Sequence, residues 1–322
     1  MKKNIVNIFM TTDEKYARYM AVSIASILYN TESFCKFFAL ADNVSDFKKK
    51  QIEDLKSKFD NFEIIWIDLQ DKDRENIIKT FISKSNNAVY TKNIANYSRF
   101  LMPDILKDVK KALYLDTDIL VYGDIAELYN YDLNNYVMGG VADSYVPSDV
   151  VVKAKVNSYI SSKHVYFNAG VLLIDCDKWR KQNIYKKIAQ CDDEIFDKKC
   201  FNSQDPINKC FENNYCVLPH KFNWFGILPG EDGIIKDIVI RHFPGAKPDV
   251  VPSGYDFFTV SNFYFFASLT SFAQEVKLVK TMPVDESKKI VKVKLFGFIP
   301  FLKITKEKIY LFNFIKIFKV IK

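Results

Sequence analysis

The sequence predicts an α/β fold in which helices flank a mixed, mainly parallel β-sheet. Short apolar runs rich in β-branched residues alternate with amphipathic helical patterns along the first part of the chain, as is typical of parallel sheets. The composition, with 48% apolar and 26% charged residues, is that of a chain that buries a core. The length of 322 residues allows one large domain or two modest ones and excludes a small disulfide-stapled protein.

The first part of the sheet follows from a strand–helix–strand–helix–strand order. In sequence, the elements are a strand at 5–10, a helix at 16–29, a strand at 37–41, a helix from the N-cap Ser45 to Phe59, and a strand at 62–67. Right-handed crossovers between such strands place a ligand crevice at their carboxyl ends. Thr11, Thr12 and Asp13 follow the first strand at that point, where a G-x-G-x-x-G pattern is absent. A nicotinamide-type site is therefore disfavoured.

The rest of the chain is predicted to complete the sheet and then to change character. Strands are predicted at 112–115, 119–122, 137–142, 166–174 and 238–240, and helices at 178–190, 205–213 and, in an aromatic-rich segment, 254–272. Near residue 283 the composition turns to Lys with Ile, Phe and Val. We therefore expect one domain over residues 1–283 and a separate segment over 284–322.

The positive charge of the chain lies in this C-terminal segment. Residues 288–322 contain ten lysines and one acidic residue, Glu307, a net charge of +9 in a chain whose total is +7. Residues 1–287 are therefore slightly acidic, at −2. They lack the basic surface that binding along a nucleic acid requires, so we expect no nucleic-acid partner for the domain.

The C-terminal segment is predicted to form a short amphipathic helix on an anionic membrane surface. Lysines dominate one side at 100° per residue, and the other face carries Tyr310, Leu311, Phe314, Ile317, Phe318 and Ile321. Basic helices with an aromatic face bind anionic headgroups. Packing against the domain and non-specific nucleic-acid binding are the alternatives.

Two features favour a cytoplasmic protein that is peripheral to the membrane. The N-terminal run is predicted as a strand rather than a signal peptide, and no run reaches the roughly 18 apolar residues of a spanning helix.

The six cysteines form no C-x-x-C pair, and three histidines are too few to complete a zinc site with them. We expect reduced, buried thiols.

Two carboxylates interrupt a strand-like stretch at Asp116-Thr117-Asp118. Residues two apart on an extended chain point to the same face, so both carboxylates can converge on one hard cation or on a cation-bound phosphate. A turn with solvated acids is the alternative. A later segment follows a predicted strand and carries His242, Gly245 and Lys247. The imidazole suits Mn²⁺ or Mg²⁺ and the lysine suits phosphate oxygens, unless the segment is an ordinary surface loop.

Six segments in the same order give the sequence its resemblance to family 8 glycosyltransferases. They lie within residues 4–250 and are FMTTD at 9–13 with Tyr16, YSRF at 97–100, YLDTDILV at 114–121, FNAGVLLI at 167–174 with Trp179, QDPIN at 204–208, and HFPGAKP at 242–248. The family comprises retaining, metal-dependent enzymes with the GT-A fold, among them bacterial lipopolysaccharide galactosyl- and glucosyltransferases and glycogenin. The resemblance implies a GT-A catalytic domain over residues 1–283.

For the donor, the resemblance implies a UDP-sugar whose diphosphate is held through Mn²⁺ or Mg²⁺. Asp116, Asp118 and His242 would hold the ion, which offsets the charge that grows on the leaving UDP. Arg99 would reach the donor sugar or the diphosphate. The other donor-binding residues would be Thr11, Thr12, Asp13, Tyr16, Thr117, Gly245 and Lys247. Among them, Asp13 and Tyr16 would meet uracil and ribose, and Lys247 would meet the phosphates. Structural roles are the alternatives, with Asp13 as an N-cap, Tyr16 in the core and Arg99 in a surface salt bridge.

The resemblance also implies a pocket for the transferred sugar and the acceptor. Its residues would be Asp143, Asn168, Ser203, Gln204 and Asp205. Gln204 occupies the family position on the β-face of the anomeric carbon, and an amide is a poor nucleophile. Retention can proceed through a covalent intermediate or through front-face attack by the acceptor, and this argument favours front-face attack. Gln204, Asp205 and Arg99 would be the catalytic residues.

The expected function is retaining transfer of a hexose, galactose or glucose, to a sugar of a lipid-linked glycan such as lipopolysaccharide. Two departures from the family pattern bear on it. Ser203 replaces an aspartate that contacts the transferred sugar, and the turn from His242 to Lys247 is one residue shorter, with Asp249 in place of a tryptophan. The alternatives are a catalytically degenerate protein that binds a sugar nucleotide or glycan, and a Mg²⁺-dependent phosphohydrolase, which the strand order before Asp116 disfavours.

Overall fold

A computed structural model of the protein describes most of the chain. Side chains are described for residues 5–83, 94–191, 195, 201, 203–225, 237–245, 247–249 and 258–275, and the backbone also at 257, 290–295, 299–305, 308–311 and 315–319. Two compact units are formed, one by Met1–Lys247 with Ser261–Lys277 and the other by Pro248–Val260 with Leu278–Lys322. The domain boundary predicted near residue 283 lies outside the described residues.

A seven-stranded sheet forms the centre of the first unit. Its strands are β1 (Ile5–Asp13), β2 (Phe34–Asp42), β3 (Phe62–Asp68), β4 (Lys111–Leu115), β6 (Met138–Ala142), β7 (Phe167–Asp175) and β8 (Cys216–Leu218), while β5 (Ile119–Val121) and β9 (Ile240–His242) pair separately. The spatial order is β3-β2-β1-β4-β7-β6-β8. Neighbours pair in parallel except at β7, which runs antiparallel to β4 and β6. The predicted mixed, mainly parallel sheet is confirmed.

Helices connect the strands. They are α1 (Ala17–Tyr29), α2 (Asp46–Glu53), α3 (Asp71–Ile77), α4 (Ile94–Ser98), α5 (Met102–Ile105), α6 (Ile125–Tyr129), α7 (Tyr145–Ser148), α8 (Val150–Val156), α9 (Cys176–Lys181), α10 (Ile184–Ala189), α11 (Gln204–Cys210) and α12 (Phe257–Ser268), with 3₁₀ turns at Asp54–Ser57 and His220–Phe222 and a π turn at Ile78–Ile82. Ser45 caps α2 as predicted, its hydroxyl accepting the Lys48 N–H. The helix predicted over 178–190 is two helices, because Asn183 between them is left-handed, with φ 51°.

The central sheet is buried on both faces. Along β1, Val6, Ile8 and Met10 pack into one apolar cluster together with α1, whereas Phe9 packs into a second cluster. All four side chains are fully buried. A strand that is covered on both sides reads as a continuous apolar run, which is why the sequence alone identified β1 and β2.

A short antiparallel ribbon joins the acidic motif to a distant part of the chain. β5 pairs with β9 so that Ile119 lies opposite His242. The N–H of Phe243 donates to the carbonyl of Asp118 at 2.9 Å. The ribbon therefore holds Asp118 and His242 side by side, although they are far apart in sequence.

The C-terminal segment is not the helix that the sequence predicted. Its described backbone forms a four-stranded antiparallel sheet in the second unit, with strands β10 (Ile290–Leu295), β11 (Ile299–Thr305), β12 (Lys308–Leu311) and β13 (Ile315–Lys319) paired in sequence order. The physical reason lies in the residues: Lys alternates with Val or Leu along β10, a period of two, and β-branched residues favour strands. None of the helices described in this structure is long and apolar enough to cross a membrane.

Candidate active site

A cavity of about 690 Å³ opens where β1, the acidic motif, β7 and the β5–β9 ribbon meet. It is lined by the predicted residues Thr11, Thr12, Asp13, Tyr16, Arg99, Asp116, Thr117, Asp118, Asp143, Asn168, Ser203, Gln204, His242, Gly245 and Lys247. The cavity has the size of sites that hold a drug-sized ligand. Of the predicted site residues, Asp205 alone does not line it.

The acidic motif is held in place by the buried helix α1. The Ser23 hydroxyl donates to the carbonyl of Thr117 at 2.6 Å and faces the carbonyl of Ile119 at 2.8 Å. One turn later, the Ser26 hydroxyl accepts the N–H of Val121 at 2.9 Å. Both serines are fully buried. Their hydroxyls satisfy backbone groups on either side of Asp118 and so fix the course of the loop.

Asp116, Asp118 and His242 bring three potential ligand atoms within 4.8 Å of one another. His242 Nε2 lies 3.4 Å from Asp118 Oδ1 and 3.8 Å from Asp116 Oδ2. Burial raises the pKa of Asp118, but its contacts with His242 and with the Lys247 ammonium outweigh burial and hold this pKa below its ordinary value. Two carboxylates and one imidazole form a donor set that suits Mn²⁺ or Mg²⁺.

Gly170 on β7 is the residue that lets these groups meet. A Cβ atom at this position would lie 2.3 Å from His242 Cε1, 2.7 Å from Asp116 Oδ2 and 3.0 Å from Asn168 Oδ1. These distances are all shorter than van der Waals contact. The Gly170 carbonyl also accepts the N–H of Asp116 at 2.7 Å. The space that a side chain would fill is thus kept open beside two of the potential ligands, His242 and Asp116, and the residues fit a bound ion.

Arg99 is a buried part of the cavity wall rather than a surface residue. Its guanidinium donates to the carbonyls of Asn96 and Ala169, both at 2.8 Å, and lies 3.2 Å from Asp116 Oδ1. It also stacks over the Tyr114 ring, 4.6 Å from the ring centre. Burial disfavours the charged form, but Asp116 and the other nearby acidic groups outweigh it and raise the pKa of Arg99. A permanent positive charge therefore lies beside the acidic motif.

The shortened turn after His242 still brings Lys247 into the cavity. Lys247 Nζ donates to Asp118 Oδ2 at 2.6 Å and to the carbonyls of Phe243 and Gly245 at 2.6 and 2.8 Å. Burial lowers the pKa of Lys247, but the Asp118 carboxylate outweighs it and the net shift is upward. A cationic lysine therefore lies next to the three potential metal ligands.

The opposite wall holds the residues expected around the transferred sugar. Gln204 Oε1 accepts the N–H of Ala169 at 3.0 Å, and its Nε2 donates to Asp143 Oδ2 at 3.1 Å. The other Asp143 oxygen accepts the N–H groups of Tyr145 and Val146 at 2.8 and 3.2 Å. The Gln204 amide is therefore locked in orientation by partners on β7 and at the start of α7. Ser203 is buried and lines the same wall.

Asp205 lies behind this wall, not in the pocket where the sequence placed it. It is fully buried, and its two oxygens accept the hydroxyls of Tyr166 at 2.5 Å and Tyr159 at 3.1 Å, with the Phe201 N–H at 2.9 Å from Oδ2. A carboxylate without water is stable only with such donors. Its place in the fold is to anchor the start of α11, which carries Gln204.

The end of β1 and the turn after it place Asp13 and Tyr16 in the cavity lining. Asp13 Oδ1 accepts the N–H groups of Lys15 and Tyr16 at 2.9 and 2.8 Å, so this carboxylate caps the turn that leads into α1. Lys247 Nζ lies 5.8 Å from the centre of the Tyr16 ring. Burial raises the pKa of the Tyr16 hydroxyl. Asp13 is thus not the N-cap of α1, a position that Tyr16 occupies; it caps the turn before the helix and also lines the cavity.

Sequence reasoning missed several residues of the site. Asn223 bonds to His242, and the aromatic residues Tyr145, Phe201 and Phe225 line the cavity. Their side chains are ordinary polar or aromatic groups with no spacing pattern that ties them to the acidic motif. Gly170 was visible within the segment at 167–174, but the need for a glycine there follows only from the approach of His242.

Comparisons with known proteins agree with this geometry. The model of glycosyl transferase family 8 matches residues 7–248. A Haemophilus influenzae protein named as a glycosyltransferase is 28% identical over 249 residues, 74% of this chain and 71% of that protein. General stress protein A of Bacillus subtilis is 28% identical over 229 residues, 69% of this chain and 74% of that protein. The galactosyltransferase LgtC, solved with donor and acceptor sugar analogs, has a TM-score of 0.66 at 23% identity, covering 87% of this chain and 98% of LgtC. Because the family match extends over most of the chain, the protein belongs to glycosyl transferase family 8 and is a glycosyltransferase of the GT-A fold.

Proposed function

We propose that the protein transfers a hexose from a UDP-sugar, with retention of configuration, in a reaction that depends on Mn²⁺ or Mg²⁺. One observation carries the proposal: the potential metal ligands, two buried cations and the Gln204–Asp143 pair line a single cavity. A diphosphate needs the metal ligands and the cations, and a sugar needs hydrogen-bonding groups such as the Gln204–Asp143 pair. A sugar nucleotide requires both surfaces next to each other. LgtC, whose structure is described with donor and acceptor sugar analogs, shares the fold.

Asp116, Asp118 and His242 would hold the metal ion. When bound, the ion supplies Lewis-acid stabilisation of the diphosphate that leaves. Gly170 supports this assignment, since the space beside it is bounded by His242 and Asp116 and holds no side chain.

Two cations of the chain would assist in binding the diphosphate. Lys247 Nζ lines the cavity as a point charge, held in place by Asp118 at 2.6 Å and by the carbonyls of Phe243 and Gly245. Arg99 is held rigidly by two carbonyls and by Asp116. Positive charges fixed before the reaction stabilise developing negative charge without reorganisation, which is the larger part of many enzymatic rate enhancements.

The arrangement around Gln204 supports front-face attack by the acceptor. An amide is a weak nucleophile, and both ends of the Gln204 amide are already engaged, by the Ala169 N–H and by Asp143. Asp143 in turn accepts two backbone N–H groups, which hold its carboxylate in place. Gln204 would then stabilise positive charge on the sugar ring through its carbonyl oxygen rather than form a bond to it.

The acceptor is proposed to be a sugar of a lipid-linked glycan such as lipopolysaccharide, at the cytoplasmic face of the membrane. The support is the sequence of residues 284–322, whose lysines and aromatic residues suit an anionic surface. Strands as well as helices can present such residues, so the proposal does not require the helix that was predicted. Residues 1–283 would form the catalytic domain.

The proposal is tested by incubating the protein and Mn²⁺ with a panel of UDP-hexoses and following UDP release. We expect slow hydrolysis of UDP-galactose or UDP-glucose and, with an added sugar acceptor, a product whose anomeric proton in NMR shows the α-configuration of the donor. A β-product would contradict retention. UDP binding with no turnover of any donor would favour the alternative of a sugar-nucleotide-binding protein.

A further inference from the structure

The buried side chain of Asn223 connects His242 to the sugar-side wall of the cavity. Asn223 follows the 3₁₀ turn at His220–Phe222 and is 1% exposed. Its Oδ1 lies 2.9 Å from His242 Nδ1, and its Nδ2 lies 3.0 Å from Asn168 Oδ1. None of the family motifs found in the sequence includes this residue.

The direction of each hydrogen bond in this chain can be derived from a backbone group. The Gly170 N–H can only donate, and it meets Asn168 at 2.9 Å, so the Asn168 atom at this contact is the oxygen. The other end of that amide faces the Asp143 carboxylate at 3.5 Å, which agrees with an NH₂ group there. Asn168 therefore accepts from Asn223, and the group that Asn223 turns towards it is the NH₂.

The remaining end of the Asn223 amide is then its carbonyl oxygen, which faces His242 Nδ1. A carbonyl oxygen accepts only, so Nδ1 must carry the proton. In a neutral imidazole the other nitrogen, Nε2, then has a lone pair. This nitrogen is the one that lies 3.4 Å from Asp118 and 3.8 Å from Asp116.

We propose that Asn223 is a positioning residue: it fixes His242 as the Nδ1–H tautomer and aims the Nε2 lone pair at the point where Asp116 and Asp118 converge. The proposal rests on the metal site of the proposed function. Metal-bound histidines owe much of their ligand strength to a partner of this kind on the other nitrogen. Asn223 also ties the ring to Asn168, so the metal site and the sugar pocket share one hydrogen-bonded chain.

The same protein offers an internal reference with the opposite tautomer. His164 Nδ1 lies 3.0 Å from the backbone N–H of Asn213, so this Nδ1 must accept. Its Nε2 therefore carries the proton and donates to Asn208 Oδ1 at 2.9 Å. His164 and His242 are thus expected in opposite tautomers within one fold.

The first test measures these tautomers directly. Long-range proton–nitrogen NMR correlations of the full chain, labelled with ¹⁵N-histidine in weakly alkaline buffer, distinguish the protonated from the bare nitrogen of each neutral ring. The chain has three histidines, and His220→Gln and His164→Gln identify the signals. We expect Nδ1–H for His242 and Nε2–H for His164. An Nε2–H tautomer at His242 would overturn the proposal whether or not the protein binds a metal.

The second test measures Mn²⁺ affinity in the presence of UDP from the loss of the free-ion EPR signal. Asn223→Leu removes the acceptor at similar size and should weaken Mn²⁺ binding roughly 10- to 100-fold. Asn223→Asp keeps an acceptor towards Nδ1 but loses the donor to Asn168 Oδ1, so it should bind Mn²⁺ more tightly than the Leu variant. Equal Mn²⁺ affinity of the Leu variant and the wild type would refute the positioning role.

The two tests separate this proposal from the proposed function. A wild-type protein that binds no Mn²⁺ would refute the metal site, while the NMR spectrum would still decide the tautomer of His242. Since the tautomer is measured on the wild type, the proposal remains falsifiable if Asn223→Leu does not fold.

Discussion

Replacing Gly170 by alanine should damage the metal site with a single methyl group. The added Cβ would lie 2.3 Å from His242 Cε1, whereas carbon atoms at their optimal separation are about 3.5–4.0 Å apart. The ring would have to move by more than about 1 Å, and the Asp116 oxygen at 2.7 Å would have to move as well. Both shifts displace candidate ligands in one step.

The size of the effect follows from these displacements. Overpacking of this kind costs about 1–3 kcal/mol of unfolding free energy. A displacement of about 1 Å in a catalytic group can cost about 100-fold in rate. We therefore expect Gly170→Ala to fold, with a lower urea midpoint, and to lose about 100-fold or more in UDP-sugar hydrolysis. Mn²⁺ titration by EPR and urea unfolding by circular dichroism measure the two losses separately.

Gly123→Ala is the matched control. Its added Cβ would lie 3.3 Å from the nearest atom, a side-chain carbon of Val239, and Gly123 does not line the cavity. This variant should bind Mn²⁺ and turn over donor like the wild type. If Gly170→Ala also kept wild-type Mn²⁺ affinity, His242 and Asp116, the two proposed ligands next to Gly170, would not hold the ion.

Three further predictions address the acidic motif, a buried histidine and the C-terminal segment. Asp118→Asn removes a carboxylate ligand and should abolish Mn²⁺-dependent UDP binding in calorimetry; undiminished binding would remove Asp118 from the metal shell. Burial lowers the pKa of His164, so the unfolded chain binds its proton first as pH falls, and stability is lost below the unfolded imidazole pKa of about 6.5. The urea midpoint should therefore decrease between about pH 7 and pH 5, and His164→Gln should flatten that decrease; an unchanged slope would contradict the assignment. Replacing Lys316, Lys319 and Lys322 by Gln should weaken binding to anionic vesicles by about 1 kcal/mol per lysine, roughly 100-fold in affinity for the three together. Sedimentation with the vesicles measures this binding, and equal sedimentation of variant and wild type would refute the membrane contact.

The parts of the fold that the sequence predicted are those with a local signal. Strands β1 and β2 are buried on both faces and read as apolar runs, the edge strand β3 is half-buried but is also an apolar run, and Ser45 marks the start of α2 by its capping chemistry. The C-terminal segment carries two competing periods, because its lysines fit both a helical face and a strand alternation. Helical spacing was favoured there, whereas the four strands pair with one another in the structure.

In the candidate site, too, the residues that the sequence predicted are those with a local signal. Asp116 and Asp118 were found because residues two apart on an extended chain share a face, and His242 because an imidazole at a strand end can complete a metal site. Asn223 and Ser23 act through partners far away in sequence, and no local pattern identifies them. Asp205 was placed in the pocket by the family resemblance, but on a helix it points away from its neighbour Gln204, and the Tyr166 and Tyr159 hydroxyls hold it in the core.

The most direct test of the account is calorimetric titration of the wild-type protein with UDP, in the presence and absence of Mn²⁺. If Asp116, Asp118 and His242 hold an ion against the diphosphate, UDP should bind in the presence of Mn²⁺ and much more weakly without it. Equal UDP affinity in both conditions, or no UDP binding in either, would contradict a metal-dependent UDP-sugar site in this cavity.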